Sequence, residues 1–525
     1  MMKPPQRRFA GARKKTGAIL IALIFLLSAC RSSLPHRPSE AETAAELLRQ
    51  TLAALPHPST PGPGSATLVP SPAGEQYRPD YNPPTPLLQS ADGSYRYLTR
   101  PGDTIPALAA RFEVSSGEIS RQVNAAPNAY LPPGTSLEIP ALLEEVSSSQ
   151  LLLPDSELVY SPAAGDFDLQ GTIREYGGFL STYQEEIRGM DHPISGSEIV
   201  EKVARELSVN PRLLLMIIEH RSGWLSGSRP GASEEKYPLG FFITGREGLY
   251  EELRIAATQL NVAYYGWRSG EFTAVKFQGG GKLRLNPTLN AGTAAIIHLF
   301  SLFYSRDQIP EVLDPAQGFP LLYHNLFGDA WTRAANDPLL LPPDLQQPAL
   351  SLPFSRGEKW SFTGGPHLAW NAGTPRGAVD FAPVTGEKEC AVSTRWITAP
   401  AAGRAVRSAD NTLALDLDGD GNEGTGWVLI FFHLADQDLI PKGSWVQADQ
   451  PIGHPSCQGG VTTGTHVHLA RKYNGEWLPA DGPAPLILSG WSIQAGERMY
   501  QGRMIKGDQV VNSHPGGGES SIIIR

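Results

Sequence analysis

The chain contains 525 residues, which is long enough for two to four domains with hydrophobic cores of their own. Its formal net charge is −9, and the lack of a basic footprint argues against a nucleic-acid partner. The 46 prolines and 54 glycines predict extended linkers and many turns.

The N-terminal residues have the pattern of an export signal. A basic region, residues 3–15, precedes the apolar run 17–27, which is short for a membrane span and typical of a secretory signal. The run ends in Leu27-Ser28-Ala29-Cys30, which resembles a bacterial lipobox, where the signal is cleaved before a cysteine that receives lipid. The resemblance implies a lipoprotein signal peptide at residues 1–30 and an extracytoplasmic protein anchored in the bacterial envelope through lipidated Cys30. The alternative is an ordinary signal peptide with an incidental cysteine.

The other two cysteines are Cys390 and Cys457. Export to an oxidising compartment favours disulfides, so we expect these two to be bonded once Cys30 carries lipid. The odd cysteine count then requires no free thiol.

Residues 31–94 are rich in proline, alanine, serine and threonine and predict a tether. A compact unit follows. Pro101-Gly102-Asp103-Thr104 predicts a turn into a helix capped by Asp103 or Thr104, and Leu137-Glu138-Ile139 predicts a closing strand. The stretch resembles the LysM module, a family that binds peptidoglycan and related polymers. The resemblance implies a βααβ peptidoglycan-binding module at residues 95–141, with a plain spacer as the alternative.

Residues 160–340 predict a largely helical domain, because apolar residues recur at helical spacing. The order of its short motifs resembles the lysozyme-like lytic transglycosylases, which place a catalytic glutamate directly before the serine of a buried helix. That position is Arg221 here, and an arginine cannot act as a general acid. Glu219 lies about 200° around the helix from it. We therefore expect a non-catalytic domain, either a glycan-binding relic or a positioning scaffold.

After a proline-rich linker, short apolar runs such as 427–433 alternate with glycine turns. This pattern predicts an antiparallel β domain at residues 351–495. Residues 496–525 are predicted to be a tail without an assigned role, with an additional strand after Gly502 as an open alternative. Residues two apart on a strand share a face, so His466 and His468 would present two imidazoles to one site. Two histidines and one aspartate are a plausible zinc shell with one position left for water.

The section from Ser351 to Trp491 resembles the lysostaphin/β-lytic family of zinc metallopeptidases. The long gap between His367 and Asp380, with Gly364-Gly365-Pro366 before the histidine, matches the β-lytic branch. The resemblance implies one zinc ion, with metal ligands and catalytic residues at matching positions. The implied zinc ligands are His367, Asp380 and His468, and the implied catalytic pair is His433 and His466.

In this chemistry one of the catalytic imidazoles accepts a proton from water and the other stabilises the oxyanion. The sequence leaves open which does which. Tyr473 is either a further phenolic donor or a strand-packing tyrosine. The segment Asp416–Gly421 imitates half of a calcium loop, but Trp427 stands where a bidentate glutamate would be required. An acidic hairpin turn is therefore favoured over a calcium site.

Taken together, the motifs predict a lipid-anchored zinc metalloendopeptidase that hydrolyses peptide bonds of peptidoglycan and is held on it by the LysM module. One alternative is a non-catalytic regulator of other cell-wall hydrolases, but all five functional positions are occupied here. Another is a peptidase that acts on glycine-rich proteins.

Overall fold

The structure, a computed structural model, describes residues 93–525. The predicted signal peptide, Cys30 and nearly all of the predicted tether lie outside the described residues. By their contacts, residues 93–525 belong to one unit. Within this range no helix is both long enough and apolar enough to cross a membrane.

A small βααβ unit opens the described chain. Its elements are β1 (Ser94–Leu98), α1 (Ile105–Phe112), α2 (Ser116–Ser120) and β2 (Ser136–Pro140). The two strands pair antiparallel. The Thr104 side chain caps α1, and Ser115 and Glu118 form a capping box on α2. The element order is the predicted one, while the LysM identity of the unit stays a prediction.

The βααβ unit is packed on the helical region that follows it. The guanidinium of Arg100 donates a hydrogen bond to the carbonyl oxygen of Thr288 at 2.6 Å. Arg284 donates to the carbonyl oxygen of Ala110 at 2.8 Å, at the end of α1. Gly270 lies so close to this helix that an added Cβ would be 2.8 Å from the Ala110 methyl group. Specific contacts therefore fix the unit to its neighbour.

The middle region is helical, as predicted. Its helices are α3 (Pro162–Gly165), α4 (Leu169–Tyr176), α5 (Gly196–Leu207), α6 (Pro211–Ser222), α7 (Ala232–Lys236), α8 (Leu249–Ser269), α9 (Ala291–Ser301), α10 (Ile309–Val312), α11 (Phe319–Phe327) and α12 (Ala330–Asn336). Two short hairpins interrupt them: β3 (Gln184–Glu185) with β4 (Ile194–Ser195), and β5 (Ala274–Lys276) with β6 (Lys282–Arg284). Asn210 caps the apolar helix α6, and Gly223 ends it in the left-handed conformation. The longest of these helices, α8, packs against α5 and α9.

The C-terminal region is an antiparallel β domain, as predicted. Its strands are β7 (Lys359–Leu368), β8 (Arg376–Pro383), β9 (Ile397–Thr398), β10 (Gly403–Ala409), β11 (Thr412–Asp416), β12 (Trp427–Phe432), β13 (Trp445–Val446), β14 (Pro451–Gly453), β15 (Val467–Tyr473), β16 (Glu476–Trp477), β17 (Ile487–Leu488), β18 (Trp491–Ala495), β19 (Gly502–Lys506), β20 (Gln509–Asn512) and β21 (Ile522–Ile524). The main sheet has the order β13-β10-β11-β12-β15-β8-β7-β21, with β16 beside β15. Strands β17 to β20 form a second sheet, and β9 pairs with β14.

The predicted tail, residues 496–525, is instead an integral part of this domain. Strands β19 and β20 form a hairpin, and β21 adds to the edge of the main sheet beside β7. Ile523 pairs with Trp360 there and is almost fully buried. A run of three isoleucines has a high β propensity, but it becomes a strand only because β7 offers it an unpaired edge. The strands of this domain therefore continue past the predicted boundary at residue 495.

Three adjacent strands of the main sheet bring the predicted metal ligands together. Strand β8 lies between β7 and β15, and Asp380 of β8 is directly opposite His468 of β15. Val467 and Leu469, on either side of His468, are fully buried in the apolar core of the domain. Alternation along β15 therefore turns His468 away from this core and towards Asp380.

Candidate metal centre

The side chains of His367, Asp380 and His468 converge on one buried point. The Nε2 atom of His367 lies 3.0 Å from Nδ1 of His468 and 3.3 Å from Oδ1 of Asp380. The remaining pair, Nδ1 of His468 and Oδ1 of Asp380, is 3.6 Å apart. All three residues are buried. The structure thus brings together the three residues that the sequence predicted as ligands.

Backbone carbonyls determine which ring nitrogen of each histidine faces this point. Nδ1 of His367 lies 2.9 Å from the carbonyl oxygen of Gly365, and Nε2 of His468 lies 3.0 Å from that of Ala369. A carbonyl oxygen only accepts, so these nitrogens carry the hydrogen. The lone pairs of the other two nitrogens, Nε2 of His367 and Nδ1 of His468, consequently point at each other and at Asp380. Such outer carbonyls are typical of metal-bound histidines.

The donor set and its spacing fit a zinc ion. Zinc bonds of 2.0–2.1 Å in tetrahedral geometry separate ligand atoms by about 3.3 Å, close to the three distances observed. Oδ1 of Asp380 is buried and has no hydrogen-bond partner. Burial alone would raise the pKa of Asp380, but the neighbouring His367 and His466 hold this pKa well below its ordinary value. The three side chains thus direct lone pairs at one point, and one of them carries a negative charge. This arrangement fits a bound cation.

Two glycines of β7 make room for this cluster. A Cβ on Gly364 would lie 2.2 Å from a carboxylate oxygen of Asp380, and one on Gly365 would lie 2.5 Å from the carbonyl carbon of Gln501. The Gly364-Gly365 pair is therefore required for close approach on both sides of the strand.

The second histidine pair, His433 and His466, stands beside the ligands. Their ring centroids are 4.7 Å apart, and Nε2 of His466 lies 3.9 Å from Oδ1 of Asp380. Nδ1 of His433 is bonded to the carbonyl oxygen of Gln458 at 3.0 Å, and Nδ1 of His466 to that of Gly464 at 2.7 Å. Each ring therefore keeps its Nε2 lone pair for chemistry. Burial, with the nearby charges of His466 and His468, lowers the pKa of His433 to about 4.

The predicted disulfide between Cys390 and Cys457 is present. It anchors the loop that contributes the carbonyl groups of Gln458 and Gly464. Gln458 directly follows Cys457, and Gly464 lies a few residues further along. A hydrogen bond of 2.7 Å from the Thr465 hydroxyl to the carbonyl oxygen of Ala391 joins the same two loops at a second point.

Tyr500 was missed by the sequence interpretation. Its ring stacks on His367 with centroids 4.2 Å apart and planes 19° apart, and its carbonyl oxygen accepts from the amide of Gly365 at 2.9 Å. The residue as a whole is 38% exposed. Tyr473, by contrast, packs against Trp427 at the far end of β15, which is the strand-packing alternative. No local pattern marks Tyr500, because it comes from the segment predicted as a tail.

Glu219 and Arg221 of the helical region, and the further histidine His454 of the β domain, make structural contacts outside the ligand cluster. Glu219 accepts hydrogen bonds from the amides of Leu225 and Ser226, so its carboxylate closes a turn. The guanidinium of Arg221 lies over the ring of Phe303, 4.1 Å from the centroid. His454 packs on the ring of Trp396.

The acidic loop that begins at Asp416 folds as a turn. The carboxylate of Asp416 accepts from the amides of Asp418, Gly419 and Gly421. Asp418 and Asp420 are exposed to solvent and lie near Asp416. These bonds are those of the predicted hairpin turn.

Comparisons with known proteins found several similar proteins. A family model described as "LasA, N-terminal domain" matches residues 151–342. Protease LasA of Pseudomonas aeruginosa is 24% identical over 358 residues, which cover 64% of this chain and 77% of that protein. The beta-lytic metalloendopeptidase of Lysobacter enzymogenes is 27% identical over 158 residues, 29% of this chain and 82% of that protein. A solved structure of the M23 metalloprotease pseudoalterin is 20% identical, covers 34% of this chain and 99% of its own, and superposes with a TM-score of 0.28.

The helical region is thus similar to the N-terminal domain of LasA, and the transglycosylase resemblance stays a prediction. The family model matches the helical region, and the ligand cluster lies in the β region. The chain is therefore homologous to protease LasA and to the beta-lytic metalloendopeptidases, and it is a zinc metalloendopeptidase.

Proposed function

We propose that this enzyme hydrolyses peptide bonds of bacterial peptidoglycan, with zinc held by His367, Asp380 and His468. The observation that carries the proposal is the convergence of these three side chains with two further imidazoles at one site. The names of the relatives support an endopeptidase, and the LysM and lipobox resemblances support a substrate in the cell wall.

The two imidazoles and one phenol divide the remaining chemistry. Zinc, when bound, lowers the pKa of its water to about 7 and polarises the scissile carbonyl. His433 is neutral at physiological pH because its pKa lies at about 4, and Nε2 is its free acceptor. We assign it the role of general base, which takes one proton from the attacking water and passes it to the leaving amine.

His466 and Tyr500 are further polar residues next to the ligands, His466 near Asp380 and Tyr500 on His367. His466 stands between His433 and Asp380 and continues the polar path from the base to the ligand cluster. Tyr500 stacks on the ligand His367, its hydroxyl is a hydrogen-bond donor, and we assign it to the oxyanion that forms when water adds to the carbonyl. A neutral His433 cannot serve there, because its only N–H is committed to Gln458.

The attachment to the wall is the second part of the proposal. We infer that lipidated Cys30 holds the enzyme on the outer side of a bacterial membrane and that the 95–141 module contacts glycan strands. The hydrogen bonds of Arg100 and Arg284 fix this module to the helical domain. A glycan strand bound by the module would therefore lie at a set position relative to the enzyme.

The test uses the purified protein with Cys30→Ser, so that it carries no lipid. We expect about one zinc per chain and release of peptide fragments from isolated cell walls, identified by mass spectrometry. His468→Ala should abolish both, whereas replacement of the exposed His514 by alanine should change neither. A protein that lacks zinc and only stimulates other wall hydrolases would overturn the enzymatic proposal in favour of a regulator.

A further inference from the structure

The loop between β7 and β8, residues 369–375, holds one of the proposed zinc ligands in place. The carbonyl oxygen of Ala369 accepts from Nε2 of His468 at 3.0 Å, which leaves Nδ1 for the metal. The loop is closed by hydrogen bonds of its own: the amide of Ala369 donates to Pro375, and that of Trp370 to the Thr374 hydroxyl. We call residues 369–375 the ligand loop.

The outer side of the ligand loop rests on helix α8 of the helical domain. The side-chain amide of Asn371 donates to the Thr258 hydroxyl at 2.9 Å. Gly373 has a φ of +97°, and a Cβ on it would lie 2.7 Å from the backbone nitrogen of Val262 and 2.9 Å from the carbonyl oxygen of Thr258. The backbone of the loop therefore touches the backbone of the helix, an approach open only to glycine.

The same face of α8 supports the other side of the loop. Thr258, Val262 and Tyr265 are spaced four and three residues apart, so they lie on one helical face. The Tyr265 hydroxyl accepts from the backbone amide of Trp477 at 3.0 Å. The ring of Trp477 is stacked parallel to that of Trp370 in the ligand loop, with centroids 6.3 Å apart.

We propose that helix α8 positions the zinc ligand His468, through Thr258, Asn371 and the close contact at Gly373, by holding the Ala369 carbonyl in place. The proposal rests on the assignment of His468 as a zinc ligand. The helical domain then has a role at the metal centre. Exposed connecting segments are ordinarily mobile, and the contact with α8 supports the ligand loop rigidly. Replacing a residue that holds a metal ligand in place commonly changes the metal affinity by 10–100-fold.

Three single variants test this positioning role. Thr258→Val removes only the hydroxyl that Asn371 uses, and Gly373→Ala forces the loop off the helix. Ser208→Ala is the matched control, because its buried hydroxyl also bridges the two domains, to the carbonyl oxygen of Gly475 at 2.7 Å, away from the ligand loop.

The readouts are the zinc dissociation constant, measured by competition with a chelator, and the amide hydrogen exchange of residues 369–375 in the zinc-free full chain. We expect zinc binding to weaken by up to about tenfold in Thr258→Val and by about 10–100-fold in Gly373→Ala. Exchange in the ligand loop should quicken in both, and Ser208→Ala should change neither quantity.

Unchanged zinc affinity and unchanged exchange in Thr258→Val and Gly373→Ala would overturn the proposal. If Gly373→Ala does not fold, Thr258→Val decides. The result is separable from the proposed function: zinc retained by His468→Ala would refute the ligand assignment itself. If the unmodified protein releases no peptides from cell walls but the variants weaken zinc binding as expected, only the proposed substrate is refuted.

Discussion

The carbonyl oxygen of Gln458 accepts a hydrogen bond from Nδ1 of His433, and Gln458 directly follows the disulfide-bonded Cys457. The orientation of the proposed general base thus depends on a loop that the disulfide anchors. Ser456, on the other side of Cys457, reinforces the contact, since its amide and its hydroxyl both donate to the carbonyl oxygen of His433.

We therefore expect the double variant Cys390→Ser/Cys457→Ser to lose kcat more than it raises KM, while its zinc content stays at one per chain. The cysteines are 67 residues apart, and closing a loop of that length stabilises a protein by about 4 kcal/mol in the chain-entropy description. Denaturant unfolding should show a loss of this order. A variant with unchanged kcat would contradict the positioning of His433, even if its stability fell as expected.

His433 also makes stability depend on pH in the zinc-free protein. Its pKa is about 4 in the folded chain and about 6.5 when unfolded, so the unfolded chain binds more protons between these values. The contribution of His433 to the free energy of unfolding is fully present above about pH 6.5. It is lost as the pH falls towards 4, and the loss is about 3 kcal/mol in total. His433→Gln should flatten the slope of unfolding free energy against pH in this window.

The control is needed because burial also lowers the pKa of His298 to about 4 and, together with Arg221, that of His220 to about 3. These groups produce a slope of the same sign, so the test is the difference between the protein and its His433→Gln variant. His514→Ala, which changes an exposed histidine, should keep the full slope. Equal slopes in all three proteins would rule out the proposed neutral state of His433.

The phenol of Tyr500 should matter for the rate and not for the metal. Tyr500→Phe keeps the ring stacked on His367 and removes one donor, so we expect kcat to fall by about 10²-fold or more while zinc affinity is retained. Tyr473→Phe is the matched control, since Tyr473 packs against Trp427 away from the site, and its kcat should stay unchanged. The opposite ranking of the two variants would return the donor role to Tyr473.

The interface between the helical and β domains contains a buried ion pair whose loss should destabilise the protein. The guanidinium of Arg268 in α8 lies 2.8 Å from the carboxylate of Glu476 in β16. Burial raises the pKa of Glu476, although the positive charge of Arg268 acts to lower it. Arg268→Met leaves this carboxylate buried without its cation, at a cost of about 3–5 kcal/mol.

Thermal unfolding measures that cost. Arg254→Met is the control on the same helix, because its bond to Glu251 is partly exposed and worth less than about 1 kcal/mol. Adding Glu476→Gln to Arg268→Met should recover part of the lost stability, because the uncompensated charge is then removed. No recovery would show that the lost stability does not come from the uncompensated charge of Glu476.

Much of this protein could be read from short-range patterns. Helical spacing predicted the helical region, and short apolar runs between glycine turns predicted the β domain. The motifs around His367, Asp380, His433, His466 and His468 predicted the residues that meet at the site. The position of Tyr500 and the pairing of the 496–525 strands could not be predicted in this way. Ile523 becomes a strand only by pairing with β7, and Tyr500 reaches His367 only because that segment folds back.

The sequence by itself determined which side chains can bind zinc, because an imidazole or a carboxylate has the same lone pairs in any fold. Only the tertiary structure decided which nitrogen of each histidine is free. That choice depends on carbonyl oxygens contributed by Gly365, Ala369, Gln458 and Gly464, and carbonyl groups are identical in every residue type. The tertiary structure also placed helix α8 behind the ligand loop. The contacting residues of the two segments are more than 100 positions apart, and a contact over such a separation leaves no local periodicity in the sequence.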